Sequence, residues 1–422
     1  MNARLNKCLV SVALIAVLAL TVLPTAYAQD GPKPEAVGLR PDAPPYALHG
    51  PYWVGTQDFV IDEGGERPLT VTVWYPALNP DGAEESIAYH MEIQAKLTFE
   101  LPDWYESIML GHALADASPD IAEGPYPLVI FSHGFGAHRH TYAYLTEHLA
   151  SYGFVVIVPD HLEVWNPEMS ELGESAFERP LDIQQVIAFA GTLAASDGEL
   201  AGLVDMNQIG VAGHSYGGYT ALTAGGARFD TAAFNARCAE AAPGTEFATV
   251  FCPIIMPAEA DLAALVGLDE VPEGYWPSWG DPRVRTVVSL AGSPLIQEDG
   301  LKEVTVPLLA MVGSLDTAGE GAEATEFIYQ QVGSATKAQV IFANAEHYIF
   351  QWSCADAVGL ADLGFFPVCS DSVWEMSRAH DLINHFTTAF LLATLKDDAA
   401  AAAALSPDAV SFPGITYETQ GF

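Results

Sequence analysis

The sequence predicts an α/β fold in which a mostly parallel central sheet of about eight strands is flanked by helices. Apolar runs typical of buried strands alternate with amphipathic segments typical of helices, and a glycine-rich turn follows one of these runs. The predicted strands are 69–77, 126–134, 154–160, 208–212, 284–292, 306–314 and 338–347, and the predicted helices lie near 139–151, 176–195 and 372–395.

The N-terminus has the features of a secretory signal peptide over residues 1–28. Basic residues precede an apolar run from Cys8 to Leu23, and Ala26–Ala28 form a small-residue cleavage site. An uncleaved membrane anchor is the alternative, although the run is shorter than the roughly 20 residues needed to span a bilayer. We therefore expect a secreted or otherwise extracytoplasmic protein with no stable membrane span after cleavage.

Three further segments follow the signal peptide. Residues 29–50 are rich in proline and are expected to form an extended leader, with order beginning near Tyr52. The folded domain is predicted over residues 51–396, and residues 397–422, which begin with an alanine run, are expected to form a C-terminal tail. No segment after the signal peptide is expected to be long and apolar enough to cross a membrane.

Charge and cysteine content limit the partners and the compartment. The formal net charge is −38 at pH 7, so the surface would repel nucleic acid and no nucleic-acid partner is expected. Four cysteines remain after signal cleavage, and they allow three disulfide pairings. The local pairings, Cys238 with Cys252 and Cys354 with Cys369, close the shortest loops, and free buried thiols are the alternative.

A nucleophile motif lies at the end of the strand 208–212. Residues 210–222 read GVAGHSYGGYTAL and contain Gly-x-Ser-x-Gly around Ser215. A serine held between a strand and a helix must adopt a strained backbone conformation, and glycine neighbours relieve the crowding. The pattern predicts a nucleophilic serine, and a glycine-rich turn without chemistry is the alternative.

The partners that a nucleophilic serine needs follow at two later strand ends. Asp316 comes after the strand 306–314, and His347 ends the strand 338–347. An imidazole accepts the serine proton and a carboxylate orients the imidazole, so Ser215, His347 and Asp316 are predicted to form a catalytic triad. Because the carboxyl ends of parallel strands meet at one edge of the sheet, we expect the three side chains to lie together.

Two backbone amides are predicted to bind the oxyanion of the reaction intermediate. One is the N–H of Tyr216, which follows the nucleophile, and the other is the N–H of Phe135 in the loop HGFGAHRH. That loop also contains His133, His138 and His140, but it lacks a carboxylate or cysteine that would complete a zinc site. Neither a metal nor another cofactor is predicted.

Three long insertions interrupt the predicted alternation of strands and helices. Residues 81–122 contain Phe99, Trp104 and Tyr105, and residues 348–371 contain one pair of cysteines. Residues 227–283 follow the nucleophile helix, where a lid would lie, so Trp276 and Trp279 are predicted to contact the substrate. Packing of these two side chains in the core is an equally weighted alternative.

Residues 127–161, PLVIFSHGFGAHRHTYAYLTEHLASYGFVVIVPDH, together with GVAGHSYGG, resemble the platelet-activating factor acetylhydrolase branch of α/β-hydrolases. The sequence also looks like the dienelactone-hydrolase-like and cutinase-type polyesterase groups. The resemblance implies the α/β-hydrolase fold and a secreted, metal-independent serine esterase. Its implied substrates are small-molecule or polymeric esters: short acyl esters, acetyl groups carried by lipids, or polyesters.

One departure from the acetylhydrolase pattern concerns the acid. In that group the acid follows the strand after the nucleophile helix, where this sequence reads VVSLAGSPL and offers only Glu298 or Asp299 further on. Asp316, one strand later, matches the other two groups. A serine peptidase and a catalytically silent binding protein remain alternative functions, and the sequence does not indicate an oligomeric state.

Overall fold

A ten-stranded sheet runs through the part of the chain that the structure describes, and it confirms the predicted mostly parallel α/β architecture. The structure is a computed structural model. It describes residues 32–65, 67–90, 108–164, 171–318 and 321–422. The predicted signal peptide, residues 1–28, and the insertion residues Phe99, Trp104 and Tyr105 lie outside the described residues.

Twelve strands are present in the described ranges. They are β1 Trp53–Ile61, β2 Leu69–Ala77, β3 Ile87–His90, β4 Ile108–Gly111, β5 Leu114–Ala115, β6 Tyr126–Ser132, β7 Val155–Pro159, β8 Val204–His214, β9 Val284–Leu290, β10 Leu308–Gly313, β11 Lys337–Phe342 and β12 Ile415–Gln420. The large sheet has the order β12-β11-β10-β9-β8-β6-β7-β2-β1-β5, and β3 and β4 form a separate antiparallel pair.

The centre of the sheet is parallel and its margins are mixed. All neighbours from β7 through β6, β8, β9 and β10 to β11 are parallel. Strands β1 and β2, β2 and β7, and β11 and β12 pair antiparallel, whereas the short β5 is parallel to β1. The carboxyl ends of parallel strands lie at the same edge of a sheet, so the loops that follow β8, β10 and β11 lie on one side of the molecule.

Nine α-helices are assigned within the described ranges. They are α1 Ala143–Ser151, α2 Glu171–Ala194, α3 Tyr216–Ala224, α4 Thr231–Glu240, α5 Cys252–Leu265, α6 Glu298–Lys302, α7 Gly321–Gln331, α8 Met376–Leu395 and α9 Ala399–Ala404.

Both faces of the sheet are buried under helices. Along β6, Leu128 and Ile130 belong to one core cluster with residues of α2 and α3. Val129 and Phe131, which alternate with them, belong to a second cluster with residues of α1 and α8. Strands covered on both faces are apolar at every position, which explains the continuous apolar runs in the sequence.

The C-terminal segment differs from the prediction of a tail. Residues 397–422 contain α9 and β12, and β12 pairs with β11 from Ile415↔Phe342 to Gln420↔Lys337. Side chains in β12 alternate between half-buried and exposed. A polar edge strand of this kind lacks the apolar run by which the central strands are recognised, so the sequence did not reveal it.

The described part of the predicted leader is also packed rather than free. The backbone N–H groups of Leu39 and Arg40 donate hydrogen bonds to the Asp381 carboxylate on α8, at 2.9 and 3.0 Å. A short 3-10 helix, Pro45–Ala47, lies against the same helix. Order therefore begins well before Tyr52, because α8 supplies acceptors in addition to hydrogen bonds within the segment, such as that from the His49 N–H to the Val37 carbonyl.

The insertion 227–283 is helical and closed by a disulfide. It contains α4, a π-helical turn Phe247–Phe251 and α5, and Cys238 bonds to Cys252. The other local pair, Cys354 and Cys369, is also joined.

One helical stretch in this insertion contradicts the expectation that no segment after the signal peptide could cross a membrane. The continuous helical stretch Phe247–Leu265 is long and apolar enough to cross a membrane by length and composition, and 28% of it is buried in the protein. The expectation that no later segment has this length and composition is therefore wrong. A single helix of this length and composition is weak evidence for a membrane span, and α5 packs against α2.

Candidate active site

Ser215 occupies a strained turn between β8 and α3. Its backbone has φ 55° and ψ −119°, a conformation that residues with a side chain rarely adopt. A Cβ atom at Gly213 would collide with the carbonyl oxygen of Gly217, and one at Gly217 would collide with the carbonyl oxygen of Ser132. Glycine is therefore required on both sides of the serine for the turn to form.

The predicted acid and base form a hydrogen-bonded pair. Asp316 follows β10, and His347 follows β11 as the first residue of the 3-10 helix His347–Phe350. The His347 Nδ1 lies 2.7 Å from Asp316 Oδ2, and the Asp316 side chain is fully buried. Because a carboxylate accepts, Nδ1 carries the proton, and Nε2 is the ring nitrogen that remains able to accept one.

His214, the residue before Ser215, connects the serine turn to the loop of His347. Its Nε2 lies 3.2 Å from the His347 carbonyl oxygen, and the centroids of the two imidazole rings are 4.6 Å apart. Burial, followed by the neighbouring His347, lowers the pKa of His214 well below its usual range. A neutral His214 thus places the serine turn beside His347 without adding a charge.

The two predicted oxyanion donors belong to segments that adjoin Ser215. Tyr216 is the first residue of α3, so its N–H has no acceptor within the helix. Phe135 follows Gly134, where an added Cβ would lie 3.5 Å from the Ser215 Cβ. Gly134 therefore lies in van der Waals range of the Ser215 side chain, which brings the loop of Phe135 next to the serine.

Several residues that the sequence did not single out hold this loop. The Gly134 N–H donates to the Tyr142 hydroxyl at 3.2 Å, and that hydroxyl lies 2.8 Å from His214 Nδ1. Since His214 Nε2 must donate to the carbonyl of His347, its Nδ1 accepts from Tyr142. The only sequence signal was the position of His214 inside the nucleophile motif.

The three loop histidines all have hydrogen-bond partners. His133 lies 2.7 Å from the Gly134 carbonyl oxygen, and His140 lies 2.9 Å from the hydroxyl of Thr72. His138 contacts the carboxylate of Asp160 at 3.4 Å. Within the described ranges, no three His, Cys, Asp or Glu residues form a group that could hold a metal ion.

The two tryptophans of the insertion are buried among aromatic side chains. Trp276 is 0% exposed and Trp279 is 4% exposed, and both rings pack against Phe177 of α2. The Trp276 indole N–H donates to the hydroxyl of Thr231 at 2.7 Å. These contacts favour core packing over the predicted contact with substrate.

The rival acids are exposed. Glu298 and Asp299 begin α6, and both carboxylates pair with the ammonium group of Lys302 at 2.7 Å. The described structure places no acid at the end of β9, where the Leu290 carbonyl instead accepts from the Ser215 N–H at 2.8 Å.

Comparison with known proteins agrees with this architecture. Residues 42–164 match the family model described as platelet-activating factor acetylhydrolase, isoform II, and residues 106–236 match the chlorophyllase family model. Neither match covers half of the chain. Only the second includes the segment around Ser215.

One curated relative and one solved structure extend the comparison. A platelet-activating factor acetylhydrolase from Cavia porcellus is 27% identical over 137 aligned residues, which cover 23% of this chain and 31% of the relative. A ferulic acid esterase from Streptomyces cinnamoneus superposes with a TM-score of 0.54 at 21% identity, covering 86% of this chain and 95% of that one.

The fold is therefore that of the α/β-hydrolases. The chain is similar to the platelet-activating factor acetylhydrolases, and the match to their family model includes the 133–136 loop. The alignment spans about a third of the length of the curated relative.

Proposed function

We propose that this protein is a secreted serine ester hydrolase. The observation that carries the proposal is the strained Ser215, whose neighbour His214 contacts the loop of a histidine paired with a buried aspartate. Ser215 attacks the ester carbonyl while His347 takes its proton, and Asp316 orients His347 and stabilises its charged form. The N–H groups of Phe135 and Tyr216 hold the negative charge that develops on the carbonyl oxygen.

The second half of the reaction uses the same groups in reverse. His347 gives its proton to the leaving alcohol, and an acyl group remains on the Ser215 oxygen. Water then gives a proton to His347 and attacks the acyl-enzyme, and His347 passes that proton to the Ser215 oxygen as the acid is released. No metal takes part in these steps as we propose them.

The proposed substrates are esters of short acyl groups, lipid-borne acetyl esters or polyesters. The likeness to acetylhydrolases supports the first two, whereas Asp316 after β10 is the placement typical of the dienelactone-hydrolase and polyesterase groups. The likeness to a ferulic acid esterase adds aromatic acyl esters to the set worth testing. The two disulfides and the predicted signal peptide support an extracytoplasmic location.

Ser215→Ala tests the nucleophile. We expect it to lower the hydrolysis of nitrophenyl acetate by on the order of 10⁴-fold or more, because no other group can form the acyl-enzyme. The melting temperature should stay near that of the wild type, since the change removes one small side chain. A fluorophosphonate probe should label the wild type at Ser215 and leave the variant unlabelled.

A substrate panel defines specificity and separates the alternatives. Nitrophenyl esters of increasing chain length, an ethyl ferulate, an acetylated phospholipid and a polyester film can be compared with a peptide substrate. We expect turnover of at least one ester class and no cleavage of the peptide. Cleavage of the peptide alone would make the protein a peptidase, and a wild type without turnover or labelling would make it a silent binding protein.

A further inference from the structure

An ion pair buried beneath the 133–136 loop has no role in the reaction as described so far. Arg179 of α2 is 0% exposed, and its guanidinium pairs with the carboxylate of Glu163, which is 6% exposed. The Arg179 Nε also donates to Glu163, at 2.9 Å. Burying two charges has a large desolvation cost, so the arrangement calls for further hydrogen bonds that use the guanidinium.

Those further hydrogen bonds go to the backbone of the predicted oxyanion loop. One terminal nitrogen of Arg179, Nη1, donates to the carbonyl oxygen of His133. The other, Nη2, donates to the carbonyl oxygen of Gly134 at 3.2 Å. A planar guanidinium presents its donors in a rigid fork, so the two carbonyls are held at fixed directions relative to one another.

The Gly134 carbonyl belongs to the same peptide unit as the Phe135 N–H. In a planar trans peptide the C=O and N–H point in opposite directions, so fixing the carbonyl fixes the direction of the amide proton. The Gly134 oxygen also accepts from the Ala137 N–H at 3.1 Å and lies 2.7 Å from His133 Nδ1. All of these donors bond to the Gly134 carbonyl oxygen, so the Phe135 N–H points away from them.

The His133 ring adds to the same arrangement. Its Nε2 accepts from the backbone N–H of His161 at 3.1 Å, so its Nδ1 carries the proton and donates to Gly134. Burial, followed by the charge of Arg179, lowers the pKa of His133 well below its usual range. A neutral His133 in this tautomer is the form that supports the Gly134 carbonyl.

Arg179 also contacts the second predicted donor segment. Its guanidinium carbon lies 5.2 Å from the centroid of the Tyr216 ring. The Tyr216 hydroxyl, at the far end of that ring, donates to the Leu172 carbonyl on α2. Arg179 thus touches the segments that carry both amides, Phe135 on one side and Tyr216 on the other.

We infer that Arg179, held by Glu163, is a positioning residue that orients the Phe135 N–H toward the reacting carbonyl oxygen. This inference rests on the proposed serine esterase function. Catalysis by an oxyanion hole depends on donors that are already aligned before the charge develops. The loop contains two glycines, with Gly136 at φ 67°, and the guanidinium adds two buried donors, one to each loop carbonyl, to those that Ala137 and His133 already direct at the Gly134 carbonyl.

The test compares four variants of the full-length enzyme. Arg179→Gln removes the fork, and Arg179→Lys keeps the charge but replaces the fork with a single ammonium. Arg179→Gln combined with Glu163→Gln removes both charges, so that no carboxylate is left buried without its partner. Arg67→Gln is the control for loss of a charge pair on the same helix, because Arg67 pairs with Glu178 and Asp182 and reaches the loop only indirectly, through Asp182 and His161.

We expect Arg179→Gln to lower kcat by about 10- to 100-fold with KM within a few-fold, which is less than the loss on removing an oxyanion donor outright. A trifluoromethyl ketone inhibitor, whose adduct carries an oxyanion, should bind more weakly by a similar factor. Arg179→Lys should recover part of kcat. The double variant should regain melting temperature relative to Arg179→Gln but not kcat, and Arg67→Gln should stay within about two-fold of the wild type.

The outcomes separate this inference from the proposed function. If the folded double variant keeps wild-type kcat and inhibitor affinity while Ser215 still labels, the positioning role is wrong and the esterase function stands. If Arg67→Gln loses as much kcat as Arg179→Gln, the effect is one of stability and the inference is also overturned. If the wild type itself neither turns over esters nor labels at Ser215, the proposed function fails. A crystal structure of Arg179→Gln with an unchanged Gly134–Phe135 peptide would likewise contradict the inference.

Discussion

Two sides of the nucleophile helix α3 are built by different physical means. On one side, which we call the hydrogen-bonded side, lie the loop 133–136 and the pair Asp316–His347. On the other, the aromatic side, lies the insertion 227–283. The Tyr216 ring meets both, edge-on to Phe135 with centroids 5.9 Å apart and parallel to Phe251 at 6.4 Å.

The difference lies in what holds each side in place. On the hydrogen-bonded side, glycines and buried polar groups fix the directions of backbone and imidazole atoms, and small angular errors there cost turnover. On the aromatic side, Phe177, Phe229, Phe234 and Trp276 fill a core whose requirement is volume. Substitutions on the first side should therefore affect turnover, and substitutions on the second should affect stability.

The largest expected effect lies on the hydrogen-bonded side. Asp316→Asn keeps the size of the side chain but removes the charge that holds the His347 Nδ1 proton, so the imidazole can take the wrong tautomer. We expect ester turnover to fall by roughly 10² or more, given that the same change in a serine protease costs about 10⁴. Steady-state kinetics and the melting temperature of the purified variant measure both quantities.

The controls for this prediction are Glu298→Gln and Asp299→Asn. Both residues are exposed and pair with Lys302, so their variants should stay within a few-fold of the wild type. Loss of activity in either of these variants, with Asp316→Asn active, would reassign the acid and restore the acetylhydrolase arrangement.

The aromatic side should show the opposite pattern. Trp276→Ala removes a fully buried ring and its hydrogen bond to Thr231, which should lower the free energy of unfolding by about 3 to 5 kcal/mol. Trp279→Ala should cost a similar amount. Turnover of the folded fraction and the preference for ester chain length should be unchanged.

Urea unfolding measures this loss, and the adjacent Tyr275→Ala, at a half-buried position, should cost less. A shift in chain-length preference with little loss of stability would instead make the two tryptophans part of the substrate site, as the sequence suggested.

The smallest effect is expected at a buried histidine outside the candidate site, which affects stability at low pH and not turnover. His380 of α8 stacks on Tyr144 with ring centroids 3.7 Å apart, and its Nε2 lies 2.8 Å from the Gln351 carbonyl oxygen. Burial lowers the pKa of His380 from 6.5 to about 4. The unfolded chain therefore binds this proton more tightly than the folded protein, and stability falls as the pH drops from 6.5 toward 4.

His380→Gln keeps a donor for the Gln351 carbonyl and removes the titration. We expect it to reduce the loss of unfolding free energy over that pH range by on the order of 3 kcal/mol, with kcat at pH 8 unchanged. Thermal melts at several pH values provide the test. If the stability of the wild type and that of the variant change equally with pH, His380 does not titrate in this way.

Local sequence patterns predicted much of the fold and of the candidate site. The apolar runs identified the central strands, and the glycines around Ser215 identified the turn, because burial on both faces and a positive φ each restrict residue type at the position itself. Asp316 and His347 were found from their positions after consecutive strands. The structure joins their side chains by a hydrogen bond, and their catalytic role stays a prediction.

Other features depended on contacts between distant parts of the chain. The strand β12 and the packed leader owe their order to β11 and α8, and neither segment contains a continuous apolar run like those of the central strands. The sequence around Trp276 does not distinguish a tryptophan that contacts a substrate from one that packs against Phe177. Arg179 had no signal at all, because its role depends on how α2 lies across the ends of the strands.

The sequence by itself thus determined the order of the central strands and helices, the strained serine turn and the placement of Asp316 and His347 after neighbouring strands, since each depends on residue type at a strand end or turn. Only the tertiary structure decided which side chains are buried together and which carbonyl each buried donor reaches. Those choices arise when helices pack over the sheet, and the desolvation of groups such as Arg179 and Glu163 then requires partners that lie far away in the chain.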